Sequence, residues 1–297
     1  MPSYIHHGST LALFADDSKL FHTIDSVSSS ASLQADLDSL HDWSIDHGMA
    51  FNYKKCKVLH MSKRKSRRGP LHSYKLDAKE LTSVLETSDL GLSVTNQLSW
   101  VSHIEEMCAK GNRVLGLVKR VCGRDLCDVQ TRQLLYSALV RPVLEYASCV
   151  WSPYTIKHRA LIENIQRRAT KFILNYPPRE ISYRDRLVQL KLLPLEFRRD
   201  INDLVLLFKH RLGLVNTNFN DFFSPVCSSY NTRNSDPGNL RLLSSHRQNY
   251  YTKSYFPRTI RLWNSLPHHI KHSPSVSAFK SQLSVLYLDK LNTYQPP

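Results

Sequence analysis

Asp16 and Asp17 stand side by side where the apolar run LALFA, residues 11–15, comes to an end. Adjacent carboxylates repel each other unless a cation lies between or beside them, and a hard divalent ion, Mg²⁺ or Mn²⁺, matches their oxygen chemistry. The plain alternative is that one aspartate caps a turn and the other is solvated. Cations follow further along. Lys54 and Lys55 occur in NYKKC, Arg64, Lys65, Arg67 and Arg68 in KRKSRR, and Arg167, Arg168 and Lys171 in IQRRATKF. KRKSRR reads equally as a phosphate-contacting or nuclear-import segment and as a solvated loop. His268 and His272 are spaced i and i+4 but have no cysteine or acid nearby at ligand spacing, so zinc is not expected there. The cysteines Cys56, Cys108, Cys122, Cys127, Cys149 and Cys227 are irregularly spaced and are expected to be free thiols, Cys122 and Cys127 packing at a helix end.

The elements that must position these residues fall into two kinds. Leu11, Leu13 and Phe14 form a β-compatible run, and Lys19, Leu20 and Phe21 resume an extended pattern, so a hairpin is predicted with its turn at the aspartates. Leu33, Leu37, Leu40 and Trp43 then recur at helical spacing, with serines to cap the helix and Gly48 to stop it. Cys56, Val58 and His60 alternate with Lys57, Leu59 and Met61, as in a half-buried strand, and SVLETSDLGLSVT reads as another. The helix that buries Leu33 and Leu37 is predicted to turn Asp36 and Asp38 outward.

Beyond Trp100 the period changes to 3.6. Ile104, Met107, Cys108, Gly111, Leu115 and Val118 share one helical face, and further helices follow through residue 212. Residues 213–255 read as a loop or linker, and a last helix is expected to begin near Ser273-Pro274 with Val276, Phe279, Leu283 and Leu286 inward. The fold class predicted is α+β. Three regions are expected: 1–98 with antiparallel strands and a helix, 99–178 all helical, and a helical 179–297.

Charge points to a partner. The formal net charge is +15, yet residues 1–50 hold seven aspartates against Lys19, a local charge of −6 that leaves +21 on the remainder. A balance that basic implies a polyanion, nucleic acid first. No apolar run is long enough for a membrane span, and the N-terminal stretch has no basic flank of a secretory signal, so no membrane partner and an intracellular place, nucleus or cytoplasm, are expected.

An apolar strand, FADD, a second strand, an amphipathic helix and a strand carrying Asn52 and Lys55 in the order Asn-x-x-Lys together resemble the palm of a reverse transcriptase. More narrowly they are similar to the reverse transcriptase of non-LTR retrotransposons of the jockey and CR1 type. The blocks LFADDSKLFHTI, LQADLDSLHDWSIDHGMAFNYKKCKVLHMS, SDLGLSVTNQLSWVSHIEEM, LYSALVRPVLEYASCVWSPY, LIENIQRRATKFIL and YFPRTIRLWNSLP occur in the family's order over nearly the whole chain. The resemblance implies a partial palm, a helical thumb and a C-terminal region. By it, Asp16 and Asp17 are the metal-binding pair, Lys55 is a palm residue near the incoming nucleotide, and Leu90-Gly91 belong to the primer grip. Lys54, Arg64, Lys65, Arg67, Arg68, Arg167, Arg168 and Lys171 are then contacts for RNA or an RNA–DNA duplex.

Two-metal phosphoryl transfer needs a further carboxylate, which the family carries on an earlier strand. Residues 1–15 contain no Asp or Glu. The expectation is a truncated RNA-directed DNA polymerase, inactive alone, its Mg²⁺ or Mn²⁺ site incomplete. A separate chain supplying fingers and upstream palm would complete it. The alternative is a non-catalytic, basic nucleic-acid-binding protein derived from such an element.

Overall fold

The computed structural model describes residues 2–62, 72–123, 126–175, 181–226, 236, 238–243 and 249–297. It is mixed α and β, 55% helical, and divides after Ser99 into two units, residues 1–99 and 100–297.

In the first unit Thr10–Phe14 (β1) and Asp17–Phe21 (β2) pair antiparallel, Phe14 opposite Asp17, so Ala15-Asp16 is a two-residue loop. Such loops need a positive φ, and Ala15 adopts +52°. The hairpin lies where the sequence puts it, but its strands are not buried. Leu13, Phe14 and Phe21 are exposed, and β1 and β2 make a sheet of two strands, so their side chains find no second layer to pack on among the described residues.

Helix α1 (Val27–Asp46) starts at a reciprocal serine cap: the Ser26 hydroxyl accepts the Ser29 N–H, and the Ser29 hydroxyl accepts the Ser26 N–H. Leu33 and Leu37 pack with Phe51, Cys56 and Val58 on a small core of Tyr74, Leu76 and Leu81. The Gln34 amide meets both backbone groups of Lys75, at 2.8 and 2.9 Å, and so fixes the helix against the strand that follows.

Short strands complete this unit: Lys57–Leu59 (β3), Lys75–Leu76 (β4), Lys79–Glu80 (β5), Thr82–Val84 (β6), Glu86–Asp89 (β7) and Leu92–Thr95 (β8). β3 and β6 pair parallel, which corrects the all-antiparallel expectation. Residues 60–81 are long enough for the crossover a parallel pair requires. The stretch read as one strand is β6 followed by the hairpin β7–β8, whose turn residues Leu90 and Gly91 both have positive φ, +47° and +80°.

The second unit opens with α2 (Val101–Cys122), α3 (Val129–Leu135), a π-helical turn at Tyr136–Val140, α4 (Arg141–Glu145), α5 (Ser148–Trp151) and α6 (Ile156–Leu174). The α2 stripe read from the sequence is buried throughout. Cys122 and Cys127 form a disulfide, which corrects the expectation of free thiols for that pair; the turn after α2 brings their Cα atoms to 5.5 Å, within bonding range. Cys56, Cys108 and Cys149 are free, and Cys227 lies outside the described residues.

Next come α7 (Tyr183–Gln189), α8 (Leu195–Arg211), β9 (Phe223–Pro225), β10 (Leu240–Leu242), α9 (Asn249–Thr252), α10 (Tyr255–Asn264), α11 (His268–Lys271) and α12 (Val276–Leu291). The core joins Leu204, Leu207 and Phe208 of α8 to Trp263 of α10 and to Phe279 and Leu283 of α12. The Phe208 and Phe279 rings stack at 4.3 Å. The segment read as a linker contributes to this core through Phe223 and Leu240, on paired strands β9 and β10. Isolated apolar residues in a polar stretch give no periodic signal, and packing against α8 and α10 is what buries them.

Candidate functional site

Asp16 lies in the β1–β2 loop and Asp17 begins β2, so local geometry alone presents both carboxylates at the hairpin tip. Both are exposed, and neither has a hydrogen-bond or ion-pair partner among the described residues. Two residues on, Lys19 forms an ion pair with Asp89, the last residue of β7. That contact ties β2 to the tip of the second hairpin, where Leu90 and Gly91 make the turn. The residues expected to hold metal and the residues expected to grip a primer thus lie on two hairpins joined by an ion pair.

The fit to a metal is limited by donors. Mg²⁺ takes six oxygens in near-octahedral geometry, and two-ion catalysis needs carboxylates spanning ions roughly 4 Å apart. Among the described residues no group of three His, Cys, Asp or Glu side chains is placed to hold an ion. Asp36 does not serve either, but not for the reason helical spacing suggests. Its side chain is buried, not outward, and accepts the backbone N–H groups of His6 and His7 at 3.0 Å and of Ser9 at 3.1 Å. Burial pushes its pKa up, but the Ser9 hydroxyl and the three N–H groups outweigh that and hold it below the usual carboxylate value. The N-terminal segment folds over the flank of α1 and its donors need an acceptor, a demand invisible in the helical pattern. Asp38 is exposed as expected and receives the Gln34 amide at 2.8 Å. The described donors are therefore two carboxylates on one turn, short of a two-ion set.

Lys54 and Lys55 are exposed in the turn between α1 and β3, where the Lys55 N–H donates to the Asn52 carbonyl at 2.9 Å; this corrects the expectation that Asn52 and Lys55 lie on the strand, which begins at Lys57. Among the described residues no hydrogen bond or ion pair joins either lysine to the aspartate turn. Arg64, Lys65, Arg67 and Arg68 lie outside the described residues.

The three cations of α6 expected to contact nucleic acid separate. Arg167 is folded onto its own chain, donating to the Pro297 carbonyl at 2.9 Å and to Asn164 Oδ1 at 3.2 Å and lying 5.3 Å over the Tyr183 ring. Arg168 and Lys171 are exposed. Arg168 donates to Asn112 of α2, and beside it stands Lys119, whose pKa is lowered first by burial and then by the Arg168 charge. Lys119 and Asn112 were not legible as site residues, because a single helix's pattern does not say which neighbour it meets.

His268 and His272 stack at 4.1 Å, with His268 Nδ1 on Asp236 at 2.8 Å and His272 Nδ1 on the His268 carbonyl at 3.0 Å. One nitrogen of each ring, Nδ1, is thus engaged within the fold, and the acid that meets His268 comes from 32 positions away along the chain. No described helix is long and apolar enough to cross a membrane. Comparison of the chain with protein-family models, with curated proteins and with solved structures finds no match.

Proposed function

We propose that these residues belong to a reverse transcriptase of the non-LTR type, that they bind RNA and RNA–DNA duplex, and that by themselves they do not extend a primer. The observation that supports the reading is the Lys19–Asp89 ion pair, which links β2, the strand that begins at Asp17, to β7, the strand that ends at the Leu90-Gly91 turn. The order of the sequence blocks and the basic balance after residue 50 support the same reading. The exposed Leu13, Phe14 and Phe21 of the hairpin favour completion by a separate chain bearing fingers and the upstream palm acid.

The second reading, a basic nucleic-acid-binding protein without catalysis, is favoured by the two-carboxylate donor set. Primer extension on an RNA template with Mg²⁺ or Mn²⁺ separates the two. These 297 residues alone are expected to give no product, and a polypeptide extended upstream through fingers and palm to give product that Asp16→Asn or Asp17→Asn abolishes. Robust extension by the 297 residues alone overturns the inactivity assigned to them. An extended, folded polypeptide that binds duplex but never polymerises selects the second reading.

A further inference from the structure

Two glycines lie in α2, and the fold uses them differently. A Cβ at Gly111 would stand 2.7 Å from Leu144 Cδ2 and 3.6 Å from Ile165 Cδ1, so that glycine is where α2 meets α4 and α6. At Gly116 nothing among the described residues lies within 4 Å of the same point. A glycine inside a helix costs about 1 kcal/mol relative to alanine, and at Gly116 no close packing accounts for it.

What surrounds this opening is cationic. Asn112, Gly116 and Lys119 follow the i, i+4, i+7 spacing of one helical face, and Asn164, Arg168 and Lys171 repeat it on α6. The helices run in the same direction, since Gly111 meets Ile165, Asn112 meets Arg168, and the Lys119 ammonium lies 5.8 Å from the Phe172 ring. Lys119 and Arg168 therefore flank Gly116. Arg168 is held in place by Asn112 Oδ1 and by the Asn164 carbonyl, the latter at 3.3 Å. Neither cation forms an ion pair among the described residues. The nearest acid on this face of α2 is Glu105, about 16 Å along the axis from Gly116.

Two like charges held together without an anion repel, and an anion bound between them relieves that repulsion. The cations also continue as a row, with Arg113 and Arg120 exposed on α2 and Lys171 on α6, which suits a linear array of charges better than a single carboxylate. We propose that the α2–α6 groove at Gly116 is a phosphate-binding notch for the backbone of RNA or an RNA–DNA duplex, Lys119 and Arg168 neutralising the phosphate and the missing side chain admitting it. The inference rests on the nucleic-acid reading above and says where contact is made.

The test is titration of the full chain against a short fluorescent RNA–DNA duplex at several salt concentrations. Gly116→Glu places a carboxylate in the opening at a site with room for it and in a residue that favours helix, and its folding is checked by circular dichroism. Affinity is expected to fall about ten-fold, and the slope of log K against log salt to shrink by about 1 for each of Lys119→Ala and Arg168→Ala, alike for all sequences. Gly116→Ala, which begins to fill the notch, is expected to raise Tm while weakening duplex binding by a smaller factor than Gly116→Glu does. If the wild-type chain binds duplex and folded Gly116→Glu binds it equally well, the notch is overturned while the nucleic-acid reading stands. A wild-type chain that binds no duplex overturns both. Polyglutamate that displaces the duplex as well as a competitor duplex does, at equal charge, overturns phosphate recognition in favour of an acidic protein partner.

Discussion

The Asp36 carboxylate on α1 accepts the backbone N–H of Ser9 at 3.1 Å, so an acid in the middle of a helix holds the chain that leads into β1. His6 and His7 donate to its other oxygen. Asp36→Ala leaves three donors without that acceptor, and a loss of about 2 to 3 kcal/mol from the first unit is expected. The folded pKa lies below the unfolded one, so this stabilisation is complete above the unfolded value and is lost as pH falls through the folded value. Amide exchange at Ser9 reports it. Protection that is unchanged in the variant would remove Asp36 from this role.

Glu163 is buried and titrates high. Burial pushes its pKa up to about 7, against the hydrogen bonds it accepts from Tyr183 and from the Leu195 N–H at 3.0 Å. Burial, then the charge of Asp203, pushes Asp200 up to about 7 as well, with Arg199, Arg258 and Glu196 facing the group. A raised carboxylate binds its proton more tightly in the folded state, so the second unit should lose stability as pH rises from about 4 to about 7 and then level off. Asp200→Asn should flatten this slope and gain on the order of 1 kcal/mol at pH 8. The urea midpoint followed by fluorescence of the buried Trp151 and Trp263 measures it. A midpoint that rises across this range would contradict the assignment.

Neighbouring arginines on α6 should behave differently. Arg167 is spent on Pro297, Asn164 and the Tyr183 ring, so Arg167→Ala should lower stability by about 1 kcal/mol without changing the salt dependence of duplex binding. Arg168→Ala should leave Tm nearly unchanged and reduce the salt slope by about 1. Equal slopes for the two variants would mean that the partners of Arg167 yield to nucleic acid.

The glycines of α2 offer a purely structural comparison. Gly111→Ala forces a methyl to 2.7 Å from Leu144, and a loss of about 1 to 3 kcal/mol is expected. Gly116→Ala enters open space and should gain about 0.5 to 1 kcal/mol. Chemical denaturation of both variants checks the pair, and similar midpoints would show that α2 shifts to accommodate the first.

What the sequence determined by itself is local. The hairpin at Asp16-Asp17, the serine cap and length of α1, the alternation around Val58 and the buried stripe of α2 all depend on residues within a few positions of one another, and propensity, capping and period encode such relationships directly. Tertiary structure decided everything that joins distant segments. It turned Asp36 inward because the N-terminal strand-to-be brought unpaired N–H groups to its flank, and it left Leu13 and Phe14 exposed because the described residues set no layer against the hairpin. It joined Lys19 to Asp89 and Arg168 to Asn112, and it buried Phe223 and Leu240 within a stretch that reads as linker. Helical period says that a residue lies on a face. Which other face it meets depends on packing across the whole unit, and that alone separated Arg167, closed onto its own chain, from Arg168, open beside a glycine.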